Sequence, residues 1–476
     1  MEVYIKGLYN TLEMVKLINA FYPLEKLELV ENAIDNGLTI EVNDKRVDVK
    51  YIVKGQILFA FGENFASNQM KDKRLLIKRV IFIVLSNMTD KKMPWGILTG
   101  IRPSKIVLDW YIKNISYMEI KKALKEKYLV SDEKIDLLLK VVKEEYNIIK
   151  NYTKEDYSLY IGIPFCPSRC LYCSFTACSI EKWSDYVNDY LDALEKEIDY
   201  IANKFNNKRL RTIYIGGGTP TSLSDKQLER LHNKIVNSFD LSNLDEWTVE
   251  AGRPDSITKS KLKTLKKFPV SRISINPQTM NQKTLNLIGR NHTPRQVIDS
   301  FKEARNIGFD NINMDLIIGL PGEAIEDVKH TLNRIKKLDP DNITVHTLAL
   351  KRASRLIDKF SDYEYINEES LNEIQKTIKK FAKIQQYKPY YLYRQKYMVG
   401  NLENIGYTKD KKACIYNCLI MEEKQTIIAL GAGASSKIVF LDNGCIKRIE
   451  NVKNVSDYIN RIDDMIKRKE DFFKNL

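Results

Sequence analysis

Between residues 157 and 350 the chain repeats one pattern, strand then turn then helix, and that repetition restricts its fold more than any other feature. Apolar strand candidates fall at 159–163, 212–215, 247–249, 272–275, 312–317 and 343–348. The stretches between them, such as 184–204 and 324–337, have the amphipathic character of helices. Strands joined through helices run parallel, because each crossover returns the chain to the same end of the sheet. Six such units are enough for an open α/β barrel, a partial (β/α)6 barrel, and chemistry in such barrels gathers at the carboxyl ends of the strands.

The flanks read differently. Short alternating stretches at 26–31, 38–42, 46–51 and 57–61 have the period of two expected of strands, and 69–88 and 132–149 have helical spacing. Residues 1–150 are therefore expected to form an α+β module, with 94–100 as a turn-rich loop and 151–156 as a linker. From 362 onward the chain is expected to be mainly helical, with a Tyr-rich segment at 387–397 and a Gly-Ala-Gly turn at Gly431 to Gly433.

At 476 residues, with 43% hydrophobic and 10% aromatic positions, the chain can bury large cores and is not of the disordered or collagenous class. Charges are scattered through the first twenty residues, which is unlike a secretory signal, and no uncharged apolar run approaches the ~18 residues of a membrane span. A cytoplasmic location is expected. The net charge of +14 invites a nucleic-acid partner, but lysine is spread along the whole chain and not gathered in a stripe. Basic charge suits a small substrate bearing several carboxylates equally well.

Seven cysteines cannot all pair, and their positions matter more than their number. Directly after the first barrel strand comes Cys166-Pro-Ser-Arg-Cys170-Leu-Tyr-Cys173, three thiols in one short loop. A structural zinc site normally has four protein ligands, and no second Cys or His pair lies nearby. Three thiolates with a fourth position open fit a 4Fe-4S cluster better. Cys178 reads as a spare thiol, and Cys414, Cys418 and Cys445 as scattered reduced cysteines or, in principle, as ligands of an auxiliary cluster. None of His232, His292, His330 and His346 has a neighbour at metal-ligand spacing.

With the preceding Tyr160-Ile-Gly-Ile-Pro-Phe-Cys166, this loop resembles the radical S-adenosylmethionine (SAM) superfamily, in its group of oxygen-independent coproporphyrinogen III oxidases. The segment Pro94-Trp-Gly-Ile-Leu-Thr-Gly-Ile-Arg-Pro-Ser-Lys105 further resembles the HemZ-type branch of that group. The resemblance implies a cluster on Cys166, Cys170 and Cys173 whose open iron chelates SAM. It implies SAM contacts from Tyr160, from Gly216, Gly217 and Thr219 in the Gly-rich turn, and from Glu250, Gln278, Arg290 and Asp315. It also implies a barrel over 157–350, a C-terminal cap over 351–476 that covers the substrate, and a reducing electron donor such as flavodoxin or ferredoxin. The substrate would be coproporphyrinogen III, whose propionates become vinyl groups by radical hydrogen abstraction and loss of carbon dioxide.

Read from residue chemistry alone, the Gly216 run is a turn or a close backbone approach, Glu250 is an exposed acid or a hydroxyl acceptor, and Asp315 needs a partner among its apolar neighbours. Arg352, Arg355 and Arg394 beside tyrosines would suit a flat tetrapyrrole with propionate tails, or an interdomain surface. Two positions depart from the well-characterised oxidases: Phe175 stands where they carry a further Cys, and Gly162 where they carry a His. Phe175 also occurs in the related haem-chaperone branch. Phe175 favours a haem-binding delivery protein as one alternative function, and the basic charge alone supports another, a radical SAM enzyme acting on tRNA.

Overall fold

The computed structural model describes all residues other than 8–10, 23–24, 33, 90, 92, 175–177, 350–355, 357–366, 396–401, 442–443 and 475–476. The chain divides into two compact units, Met1–Lys143 with Arg394–Tyr397, and Glu144–Tyr393 with Met398–Leu476.

The first unit contains β1 (Glu2–Lys6), α1 (Leu12–Phe21), β2 (Glu28–Val30), β3 (Gly37–Val42), β4 (Arg46–Val53), β5 (Gln56–Asn64), α2 (Met70–Thr89), α3 (Ser104–Ile112), α4 (Tyr117–Glu126) and the start of α5 (Asp132–Ile149). Its sheet has the order β2-β1-β3-β4-β5, with β1 parallel to both neighbours and β3, β4 and β5 a meander. Alternation in β3 and β4 turns Leu38, Ile40, Val47 and Val49 into a core with Val80, Ile81 and Val84 of α2. Strand β1, which the alternating stretches of the sequence did not include, enters the sheet through Val3. Arg394 is buried in this unit, with its guanidinium 5.6 Å from the Trp95 ring and donating to the Leu98 carbonyl. Arg352 and Arg355 lie outside the described residues.

The second unit begins with β6 (Asp156–Ile163), β7 (Phe165–Cys166), β8 (Cys178–Ser179), α6 (Ile180–Trp183), α7 (Val187–Lys204), β9 (Arg209–Gly217) and α8 (Asp225–Ser238). It continues with β10 (Glu246–Gly252), α9 (Lys259–Lys266), β11 (Arg272–Ile275), α10 (Gln282–Leu287), α11 (Pro294–Ile307), β12 (Ile312–Ile318), α12 (Ile325–Leu338) and β13 (Asn342–Thr347). The last part holds α13 (Glu368–Ile384), β14 (Lys388–Tyr393), β15 (Asn404–Thr408), α14 (Ile415–Glu422), β16 (Thr426–Leu430), β17 (Ser435–Phe440), β18 (Cys445–Glu450), α15 (Val455–Asn460) and α16 (Ile462–Lys474).

Strands β6, β9, β10, β11, β12 and β13 lie side by side in chain order, all parallel, and coincide with the six strands expected from the repeat. They do not close on themselves, since β15 adds antiparallel to β13 and β16 adds parallel to β6, which leaves an open, partial barrel. The C-terminal part is thus not only helical: it supplies five strands to the two edges of the barrel sheet. The aromatic run Tyr390 to Tyr393 favours a pleated surface, and an unpaired sheet edge is a ready template for another strand.

Each barrel strand alternates in composition. Leu159, Ile161, Ile213, Ile215, Trp247, Val249, Ile273, Ile275, Ile343 and Val345 are buried apolar positions of these strands, and the surrounding helices contribute apolar faces such as Leu191, Leu194, Ile198 and Ile201 of α7. Full burial of each such side chain contributes roughly 1.5–3 kcal/mol. The alternate positions carry Ser158, Tyr160, Thr212, Tyr214, Glu250, Ser274, Asn313, Asp315, Thr344 and His346, which bond to one another across the strands apart from Tyr160, stacked on Tyr214. The opposite face of the barrel sheet is therefore polar. Among the described residues no helix is long and apolar enough to cross a membrane.

Candidate functional site

The cysteine loop leaves the carboxyl end of β6 through Pro164. Strand β7 ends on Cys166 and pairs with β8, which ties Phe165 opposite Cys178, and the Cys178 amide donates to the Pro164 carbonyl at 2.8 Å. The Leu171 amide donates to the Ile288 carbonyl at 2.9 Å, so the middle of the loop is sewn to the end of α10. Burial pushes the Cys166 thiol up to about 11, a donated bond from Thr219 acts the other way, and Cys173 and Cys170 add to the rise. The other two loop sulfurs are thus both within electrostatic reach of Cys166. Among the described residues no three His, Cys, Asp or Glu side chains converge as they would on a single metal ion. A cubane asks each thiolate to bind a different iron, which is a wider arrangement.

Beside the loop stands the Gly-rich turn that ends β9. Gly217 has φ +103, and a Cβ there would lie 3.1 Å from the Tyr160 hydroxyl; one on Gly218 would lie 2.6 Å from the Phe165 carbonyl oxygen, closer than any side chain tolerates. The turn can therefore pass directly against the cysteine loop, and the Thr219 hydroxyl donates to Cys166 Sγ at 3.4 Å.

The following strands hold the acids, Glu250 near the end of β10 and Asp315 in the middle of β12. Glu250 accepts a bond from the Tyr214 hydroxyl at 2.5 Å. Burial pushes its carboxyl up to about 7; the Tyr214 bond opposes this and the Asp315 charge reinforces it. Burial also works to raise Asp315, but His346 and Asn313 outweigh it and hold that carboxyl below its ordinary value. Asn313 Nδ2 donates to Asp315 Oδ1 at 2.7 Å, and His346 Nε2 lies 3.8 Å from Oδ2. The buried acid thus has partners, and they stabilise its charge.

Gln278 occupies a left-handed backbone conformation, φ +66, at a single bridge to β12, with its amide bonded to the Asp315 carbonyl at 2.9 Å. Such a conformation costs a non-glycine residue roughly 1–3 kcal/mol, and this kind of strain clusters at ligand sites. Its side-chain Oε1 is buried without a hydrogen-bond partner, as is Nε of Arg290. The other arms of Arg290 donate to the Tyr172 hydroxyl and the Asn276 carbonyl, both at 2.8 Å. Unmet buried polar atoms on a polar barrel rim are what a polar ligand would satisfy, and with three thiols alongside the residues present fit a cluster with bound SAM.

The structure therefore gathers Cys166, Cys170, Cys173, Tyr160, Gly216, Gly217, Thr219, Glu250, Gln278, Arg290 and Asp315 at one end of the barrel. Phe175 lies outside the described residues. Cys414 and Cys418 are buried at the start of α14, while Cys445 is exposed on β18. His232 is a core residue stacked on Trp247, with ring centroids 5.3 Å apart, and its pKa is lowered by burial to about 4. Two neighbours of the site were not foreseen, His346 and Arg253. The signal available for His346 was the regular polar alternation of the barrel strands, which places it on the same face as Asp315.

The radical SAM superfamily profile matches residues 160–335. The oxygen-independent coproporphyrinogen-III oxidase-like protein HemZ of Bacillus subtilis (strain 168) is 38% identical over 497 aligned residues, covering 100% of this chain and 99% of that one. The heme chaperone HemW of the same organism is 43% identical over 195 residues, which cover 41% of this chain and 51% of HemW. The solved structure of HemN, a coproporphyrinogen III oxidase from Escherichia coli, superposes with a TM-score of 0.54 at 24% identity over 67% of this chain and 72% of HemN, which supports the fold. An open six-stranded parallel barrel, three thiols after its first strand and similarity to HemZ from end to end lead to one assignment: the chain belongs to the radical SAM superfamily, within its HemN/HemZ family of coproporphyrinogen oxidase-like proteins, for which a 4Fe-4S cluster and SAM are the cofactors.

Proposed function

We propose that this chain is an oxidative decarboxylase that converts propionate side chains of coproporphyrinogen III to vinyl groups. The observation that carries this reading is the extent of the match to HemZ: that relative, described as oxidase-like, is similar along the whole chain, whereas HemW relatives match 41% to 68% of it. Cys166, Cys170 and Cys173 would hold the cluster. Tyr160, Gly216, Gly217, Thr219, Glu250, Gln278, Arg290 and Asp315 would hold SAM. When bound, the two cofactors supply an electron and the radical that takes a hydrogen atom from the substrate.

The protein's own contribution is orientation and shielding. The Gly-rich turn lets backbone approach the ligand, Asp315 offers a carboxylate kept charged by His346 and Asn313, and Gln278 and Arg290 offer buried polar atoms that lack partners. The propionate loses a hydrogen atom to the radical, then carbon dioxide, and passes one electron to a separate one-electron acceptor, so that a vinyl group remains.

Asp315→Ala is expected to weaken SAM binding ten- to a hundredfold, as loss of a charged hydrogen bond of about 1.5–3 kcal/mol would. Calorimetric titration of SAM into the reconstituted protein measures it, with iron content as the control. Equal affinity with a full cluster would remove Asp315 from the site.

Substrate turnover is tested by giving anaerobically reconstituted protein reductant, SAM and coproporphyrinogen III, with mass spectrometry of the tetrapyrrole. Loss of one or two carboxyl groups is expected. The HemW similarity favours haem delivery as the second reading. SAM cleavage with an unchanged porphyrinogen and stoichiometric haem binding would decide for it.

A further inference from the structure

Two of the three cysteines in the loop are contacted at sulfur by side chains from neighbouring barrel strands. Thr219 after β9 reaches Cys166, and Arg253, directly after β10, reaches Cys170 with Nη1 3.8 Å from Sγ. Arg253 is 4% exposed. The same Nη1 donates to the Ser168 carbonyl at 3.0 Å and to the Ser168 hydroxyl at 2.7 Å. Its Nε and Nη2 form a two-point pair with Asp255, at 3.0 and 2.6 Å. The planar fork is thus clamped on one side by a carboxylate, and its other edge faces the loop backbone and a sulfur. A lysine could not reproduce this, because an ammonium lacks the fixed fork needed to serve Asp255, Ser168 and Cys170 together.

We infer that Arg253 is a positioning residue for the cluster, which pins the Cys166 to Cys173 loop to the end of β10 and keeps a fixed positive charge against the Cys170 sulfur. This rests on the assignment of that loop to a 4Fe-4S cluster. Hydrogen bonds and positive charge at a ligand sulfur stabilise the more negative, reduced cluster and so raise its midpoint potential. Arg253 therefore makes the cluster easier to reduce.

The test uses the full chain reconstituted anaerobically, with iron and sulfide analysis, the electron paramagnetic resonance signal of the reduced protein, and a potentiometric titration of that signal. If the parent takes up no cluster, the loop assignment itself fails. With a cluster in the parent, Arg253→Lys is expected to keep most of the iron and shift the midpoint to more negative potential, and Arg253→Met to shift it further and lose half or more of the iron. Ser168→Ala, which leaves the guanidinium beside Cys170, is expected to keep the parent's potential. An Arg253→Lys protein with full iron at the parent's potential overturns the inference, whatever Arg253→Met shows. An equal shift in Ser168→Ala overturns it as well, because the effect would then belong to the loop and not to the charge at sulfur. Should both arginine variants melt like the parent yet hold little iron, the anchoring role is supported.

Discussion

Replacing Cys166, Cys170 and Cys173 together with alanine is expected to abolish the cluster outright. The parent should bind about four irons with a matching amount of sulfide, and the triple variant close to none. The structure makes the expectation sharp because no other set of thiols can substitute. Cys414 and Cys418 are buried at α14, with Cys414 bonded to Glu246 and Cys418 to the Tyr390 carbonyl. Cys445 is on β18, which is separated from β6, the strand that the cysteine loop follows, by β16 and β17. At about 4.8 Å per strand that separation is about 14 Å. Cys178 is nearer, but β8 places it opposite Phe165, and Cys178→Ser should keep the cluster. A triple variant that took up the full four irons would refute the assignment, and a parent with about eight would bring the downstream cysteines back.

Lys469→Met is expected to cost the second unit about 3–5 kcal/mol, because it leaves a buried carboxylate without its counter-charge. Lys469 Nζ lies 2.6 Å from Glu197 Oε1, and both side chains are excluded from solvent. The pair ties α16 to α7. Around it, Glu197 accepts from the Tyr458 hydroxyl at 2.6 Å, the Gly431 amide at 2.9 Å and Asn451 at 2.8 Å, while Lys469 also donates to Asn451 at 2.7 Å. These neutral donors satisfy lone pairs but do not balance the charge. Urea unfolding followed by circular dichroism measures the loss. The double variant Glu197→Gln with Lys469→Met should recover much of it, since the neutral amide removes the unbalanced charge while its oxygen still accepts from Tyr458 and Gly431. A single-variant loss below about 1 kcal/mol would show that the pair is not held as described.

These two cases lie at opposite ends of what can be read from a sequence. The cysteine loop was legible because its ligands fall within one short stretch of chain, and ligand spacing is a local property. The six barrel strands were legible for the same reason, since a period of two is written in adjacent residues. The Glu197–Lys469 pair was not legible, because its members are 272 positions apart and either could have stayed in water.

The amino-acid sequence by itself determined the parallel barrel, the thiol loop after its first strand and the Gly-rich turn beside it, each of which depends on residues a few positions apart. Only the tertiary structure decided that β14 to β18 complete both edges of the barrel sheet, because pairing of distant strands depends on which edges are left unpaired. Likewise it alone turned Gln278 into a left-handed conformation, brought His346 to Asp315 and set Arg253 between Asp255 and Cys170. Side chains such as these acquire their roles from neighbours on other strands, and the registers that make them neighbours are set by packing of the whole sheet rather than by local periodicity.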